Sequence, residues 1–340
     1  MEEFGSDFHY IDIVTPVNHH LLDNCIFFAY GRHPLLAVLI NNKFKRVWLP
    51  EYYCYEVVDY LRNKGIEIAF YFDNPFCDVQ DLAFNDIRFR EGDVLLRINF
   101  FGLRRFSSNI NFNIPVIEDH SHDLLGEWAS HSDADWCFAS LRKTLPVAEG
   151  GILWSPKNHN LGSYLPENSI INEQTSEWRW MAMRMKTDYL NYGGDKSLFR
   201  KLYMDAEVSI HSLAISLIDQ FSLQYAKNMN IREWYCKKKE NWKLLHDNLS
   251  FCVRVLIPES LDVCFPFSFI LCFEKESDRD NVRKRLIDSC VYPAVLWEIP
   301  DCQGELIKDV SKRLLSIHCD ARYNDNDITL LLERLRNVLR

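Results

Sequence analysis

The residues best placed to do chemistry together lie between Val116 and Pro156. Pro115-Val116-Ile117 reads as a buried strand, with Glu118-Asp119 at its C-terminal end. In open α/β sheets, ligands bind beyond the C-terminal ends of the strands. About twenty residues later a second strand, Ala134–Ser140, runs into Leu141-Arg142-Lys143, and the pair Gly150-Gly151 then opens a further strand. A carboxylate, a hydroxyl and an amine are thereby delivered to one edge of one sheet. A lysine can link covalently to an aldehyde. A carboxylate can keep a heterocyclic nitrogen protonated, and hydroxyls and helix N-terminal amides hold phosphate.

That set meets the needs of pyridoxal phosphate. Asp119 faces the pyridine nitrogen, Lys143 supplies the amine, and Ser140 with the helix start at Gly31–Pro34 takes the phosphate. Other chemistries find no support. GxxxxGK[ST], GxGxxG, HExxH and GxSxG are absent. His120 and His122 share one face of an extended segment, but no third ligand stands at metal spacing, so no metal is expected.

The elements that must position these groups alternate. Arg46–Leu49, Ile66–Phe72, Asp93–Ile98 and Pro115–Glu118 read as strands. Leu35–Asn42, opened by Pro34, and Glu51–Lys64, stopped at Gly65, read as helices. Strand, helix, strand in this order predicts βαβ units and a mostly parallel sheet flanked by helices. Leu161–Tyr203 reads as polar and irregular. Glu207–Leu249 reads as helical, with Leu213, Leu217, Phe221 and Tyr225 on one face. The remainder predicts a smaller α+β unit: strands Phe265–Phe273, Val291–Trp297 and Leu314–His318, and helices Asp278–Ser289 and Asp325–Leu339. The expected division is a large α/β domain over 1–230 and a small C-terminal domain over 231–340.

Composition sets the outer bounds. The chain has 340 residues, 47% hydrophobic and 26% charged, which suits a globular protein and excludes disorder and coiled coil. With 39 basic against 48 acidic residues the net charge is −9, so no nucleic-acid partner is expected. No apolar run approaches the roughly 20 residues of a membrane span. The N-terminus has neither the basic nor the apolar region of a secretion signal, and the eleven cysteines form no CxxC pair. Together these features predict a cytoplasmic protein that does not bind a membrane.

The motifs then take on a family likeness. Glu118-Asp119-His120-Ser121-His122 resembles the "EDxAH/Q" strand end of the DegT/StrS-type sugar aminotransferases, which are fold-type I pyridoxal phosphate enzymes. Lys143 followed by Glu149-Gly150-Gly151 resembles their lysine and "GEGG" at the family's spacing. Gly31-Arg32-His33-Pro34-Leu35-Leu36 resembles "SGTAAL", Val47-Trp48-Leu49-Pro50 resembles "VIVP", Phe101-Gly102 resembles the "HxxG" segment, and Leu314–His318 with Asp320–Tyr323 resembles the closing "LSLP" segment. The likeness covers roughly residues 25 to 335.

The resemblance implies a role for each residue. Lys143 is the catalytic base and covalent anchor. Asp119 pairs with the pyridinium, and His122 stands beside the ring near its 3-hydroxyl. Ser140 and the amides around Gly31, Arg32 and His33 hold the phosphate. The chain departs from the pattern at Phe138 and Asn99, and at Cys54, where the family carries the aromatic that stacks on the ring. Tyr52, Tyr53 and Tyr55 stand nearby, and Tyr53 is carried forward as the candidate. The implied reaction moves an amino group from glutamate to a keto-sugar nucleotide, as in surface polysaccharide or related sugar biosynthesis. The implied assembly is a homodimer, with Trp178–Tyr192 as the expected contact.

Overall fold

The structure is a computed structural model and describes residues 3–13, 15–16, 22–77, 84, 87–106, 113–164, 166–301 and 303–339. The chain opens with a short strand, β1 (Phe4–Gly5). Seven strands follow: β2 (Ile26–Phe28), β3 (Arg46–Pro50), β4 (Glu67–Tyr71), β5 (Asp93–Ile98), β6 (Val116–Asp119), β7 (Trp136–Ser140) and β8 (Gly151–Trp154). They form one sheet in the order β2-β8-β7-β6-β5-β3-β4. The β3–β4, β3–β5, β5–β6 and β6–β7 pairs are parallel, and β8 runs antiparallel to both its neighbours. β5 is buried along its whole length, as its Val94-Leu95-Leu96 run requires of a strand covered on both faces.

The helices are α1 (Arg32–Asn41), α2 (Tyr55–Asn63), α3 (Glu127–His131), α4 (Ile170–Tyr192), α5 (Ser197–Ser212), α6 (Gln220–Asn228) and α7 (Ile231–Leu249). On one side of the sheet, Leu35, Leu39, Val58 and Leu61 of α1 and α2 meet Val47, Leu96 and Ile117. On the other, Trp180 and Met183 of α4 and Trp234 and Tyr235 of α7 meet Leu141, Leu145 and Ile152. A third core lies under a three-stranded antiparallel sheet of β9 (Arg254–Val255), β10 (Phe269–Cys272) and β12 (Leu314–Ile317). Around it stand α8 (Glu276–Asp288), α9 (Glu305–Arg313) and α10 (Asp325–Leu339), and β11 (Val291–Tyr292) pairs with β1. α7 spans two of these cores: Trp242, Leu245 and Leu249, farther along it, belong to the third.

Three expectations are corrected. Leu161–Tyr203 is not irregular: it contains α4 and the start of α5. The face expected from Leu213 to Tyr225 is not one helix. Leu213 and Leu217 lie in an extended segment, and α6 starts only after Asp219, whose carboxylate accepts the Phe221 and Ser222 amides. Val291–Trp297 is a strand only over Val291–Tyr292. Among the described residues, no helix is long and apolar enough to cross a membrane.

Candidate active site

The C-terminal ends of β3, β6 and β7 converge, because the chain leaves β4 on one side of β3 and returns as β5 on the other. Such a reversal opens a crevice at the strand ends. β6 ends at Asp119, and β7, paired beside it, ends at Ser140. A turn, Leu141–Lys143, follows, pinned by the buried side chain of Leu141. Gly151 begins β8 opposite Ser140. A Cβ on Gly151 would lie 2.4 Å from the Tyr30 carbonyl oxygen, and a Cβ on Gly31 would lie 2.7 Å from the Ser140 Cβ. The two glycines let the start of α1 pack directly against the ends of β7 and β8. The first amides of α1, which have no acceptor within the helix, are thereby brought beside Ser140.

One cavity of about 60 Å³ is bordered by Gly31, Arg32, Tyr53, Asp119, Ser140 and Lys143, together with Tyr30, Cys54 and Ser121. Six of the expected site residues thus come together. The Asp119 carboxylate accepts the Ser121 amide on Oδ1 at 2.9 Å and the Tyr53 hydroxyl on Oδ2 at 2.8 Å. Ser121 Oγ in turn accepts the Ser140 amide at 3.0 Å, tying the two strand ends together. Among the described residues, Lys143 Nζ has no hydrogen bond or ion pair; it lies 5.5 Å from the centre of the Trp297 ring. Arg32 is taken up by Glu56 and Arg142 by Glu207. Burial raises the Glu207 carboxyl, but Arg142 and Arg179 outweigh it and hold the group at about 2.

Two expected residues face elsewhere. His33 donates its amide to the Tyr30 carbonyl, and its ring Nδ1 accepts the Ser216 amide. Burial, then the charge of Arg32, lowers its pKa to about 3. His122 does not border the cavity. Its ring stacks between Phe101, at 5.4 Å and 11°, and Trp297, at 5.3 Å and 17°. Its Nδ1 accepts the Phe101 amide at 3.1 Å, and burial with the charges of Lys143 and Lys238 keeps the ring neutral.

Glu118, beside Asp119, turns to the opposite face. It is fully buried and accepts from Arg97 at 2.7 Å, Trp128, His120 and Ser132. Burial raises its carboxyl, but Arg97 and these hydrogen bonds outweigh it and hold it at about 2. Glu118, His120 and Cys137 lie close enough to share a cation; Arg97 holds Oε1, while Oε2 faces His120 and Cys137 and accepts the Ser132 hydroxyl. Glu149 is buried and accepts the Asp219 amide at 2.6 Å and the Asn172 side chain. It braces the glycine pair against α4 and α6.

Sequence reasoning missed two residues here. Ser121 carried no signal beyond its place in the motif. Trp297 arrives from a segment after β11, held by Tyr52, whose hydroxyl bonds the Leu296 carbonyl, and by Ser311, which bonds the Trp297 carbonyl.

The donor set fits pyridoxal phosphate: an unpaired amine, a strand-end carboxylate, a serine hydroxyl and a helix N-terminus share one cavity. Tyr53 also stands against the Asp119 carboxylate at the edge of this cavity.

No family model and no curated protein matches the chain. Solved structures do. A structure described as the sugar aminotransferase CalS13 from Micromonospora echinospora superposes with a TM-score of 0.61 at 14% identity, over 99% of this chain and 100% of that one. A DegT DnrJ EryC1 StrS aminotransferase from Brucella abortus gives 0.60 at 13%, over 92% and 85%. NtdA from Bacillus subtilis, described with bound cofactor PMP, gives 0.62 at 12%, over 93% and 73%. At these identities the likeness establishes the fold. The chain has the α/β architecture of these aminotransferase structures, a mostly parallel sheet flanked by helices.

Proposed function

We propose that the protein is a pyridoxal phosphate-dependent aminotransferase that moves an amino group from glutamate to a keto-sugar nucleotide, in surface polysaccharide or related sugar biosynthesis. The observation that carries this reading is the unpaired Lys143 amine, set in one cavity with Asp119 and Ser140 at adjacent strand ends. Some of the similar solved structures, CalS13 among them, are described as sugar aminotransferases, which supports the substrate class.

When bound, the cofactor supplies an electron sink for the amino acid's Cα–H bond. Each step by the protein then belongs to a named residue. Asp119 keeps the pyridine nitrogen protonated. Lys143 Nζ would hold the aldehyde group and would serve as the base that takes up the substrate's Cα proton. Ser140 Oγ and the amides of Gly31 and Arg32 hold the phosphate. His122, neutral and clamped between two rings, backs the wall on the Lys143 side.

The same proposal divides the chain into 1–230 and 231–340, places it in the cytoplasm and pairs it as a homodimer. Within the expected contact Trp178–Tyr192, Met181 at 52% and Tyr192 at 85% are exposed, and with the exposed apolar side chains of α5, such as Val208 at 73%, they are what a second copy would cover. The visible spectrum with cofactor, before and after glutamate, tests the central reading.

A further inference from the structure

Each oxygen of the Asp119 carboxylate already accepts a hydrogen bond. Oδ1 takes the Ser121 amide and Oδ2 takes the Tyr53 hydroxyl, yet the pyridine nitrogen of a bound cofactor needs this same group. The cavity beside it measures about 60 Å³. Roughly 150 Å³ is the size of cavity that holds a single benzene ring. Something must therefore move before a pyridine ring can enter.

The neighbouring side chains differ in how firmly they are held. Tyr52 is fully buried and tied through its hydroxyl to the Leu296 carbonyl. Ser121 is tied to the Ser140 amide, and its own amide belongs to the strand end. Arg32 and Arg142 are held in ion pairs. Tyr53 is equally buried and its ring lies 6.2 Å from that of Trp297, but among the described residues its hydroxyl bonds Asp119 alone, and the ring borders the cavity next to the small side chain of Cys54 and to Val57.

We propose that Tyr53 is a displaceable latch on Asp119: its hydroxyl holds the carboxylate in the empty site, and the cofactor enters only when that hydrogen bond is given up. This rests on the pyridoxal phosphate reading of the site. Tyr53 is then a positioning residue whose hydroxyl opposes cofactor binding. A ring that simply stacked on the cofactor would favour binding with or without its hydroxyl. Because the latched state does not bind, the apparent affinity is lowered by the fraction of molecules in which Asp119 is free. Removing the hydroxyl removes that factor.

The experiment is a titration of the full chain with pyridoxal phosphate, followed by its visible band and by equilibrium dialysis. It compares wild type, Tyr53→Phe, Asp119→Ala and the double variant. The latch predicts about tenfold tighter binding for Tyr53→Phe, equivalent to about 1.4 kcal/mol. It also predicts that the gain disappears when Asp119 is already Ala, which offers the hydroxyl no acceptor. Tyr53→Met, which removes ring and hydroxyl together, tightens binding as well, and serves if the Phe variant does not fold. A band in Tyr53→Phe with none in wild type supports the latch in its strongest form. Unchanged or weaker binding by Tyr53→Phe, with wild type binding normally, overturns the latch and leaves the cofactor reading standing. No band in any variant overturns both.

Discussion

Gly31 and Ser140 meet so closely that no side chain fits between them: a Cβ on Gly31 would stand 2.7 Å from the Cβ of Ser140. This approach seats the N-terminus of α1 on the end of β7 and sets the phosphate end of the proposed site. Gly31→Val forces the two apart. Overpacking of this kind costs about 1–3 kcal/mol, so the melting temperature falls by several degrees. Cofactor affinity falls further than stability explains, because the helix start no longer meets Ser140. A melt and a cofactor titration on the same sample check this. Unchanged affinity would show that the helix start holds no phosphate.

The Arg97–Glu118 pair is the ionic brace behind Asp119. Arg97→Met leaves a buried carboxylate uncompensated and costs about 3–5 kcal/mol near neutral pH. The pH dependence has a definite sign. A carboxyl held at about 2 contributes stability above its ordinary value of 4.5, and that contribution is lost as pH falls toward 2. Without Arg97 the carboxyl has no such contribution to lose. The difference in melting temperature between wild type and variant therefore narrows from pH 7 to pH 3. A constant difference contradicts this account of Glu118.

Glu149 behaves oppositely. Burial, then the nearby Asp219, pushes its carboxyl well above the ordinary range. A raised folded-state value stabilises fully below the unfolded value of about 4.5, and the benefit is lost as pH rises toward the folded one. Glu149→Gln keeps an acceptor for the Asp219 amide and cannot ionise, so its melting temperature gains on wild type between pH 5 and pH 8. Glu149→Ala leaves that amide and the Asn172 side chain without their acceptor and costs about 1–3 kcal/mol. Parallel melting curves for Gln and wild type across this range mean that Glu149 is ionised.

The apolar face on α4 and α5 carries the homodimer proposal. Met204 and Val208, four residues apart on α5, are both exposed. Val208→Glu places a charge in the centre of the proposed contact. Light scattering at micromolar concentration should give twice the chain mass for wild type and a smaller mass for the variant. A monomeric wild type contradicts the dimer.

Much of the site was legible because its residues sit at the ends of consecutive strands. Asp119, Ser140, Lys143 and Gly151 fall within one short stretch, and the β6–β7–β8 pairing brings them together with no long-range guess. α10, with its regular apolar stripe of Ile328, Leu331, Leu332 and Leu335, was read to its residue limits. α4 was not legible for a physical reason. Its buried face mixes Asn172, Thr175, Ser176, Arg179 and Lys186 with Trp180, Ala182 and Met183, while Ile170, Ile171 and Met181 point outward. A search for an apolar helical stripe finds none there. Trp297 was hidden because nothing local marks a residue that reaches the site from the far end of the chain. His33 and His122 were placed near the cofactor by motif position alone; the His33 amide is taken by the Tyr30 carbonyl, and the His122 ring is held between Phe101 and Trp297.

The most direct test of the proposed function is the visible absorption spectrum of the purified protein with pyridoxal phosphate, before and after glutamate, with Lys143→Ala alongside. The account predicts a visible band in wild type that glutamate bleaches and that Lys143→Ala never forms. A band that forms equally well without Lys143, or no band in wild type, contradicts it.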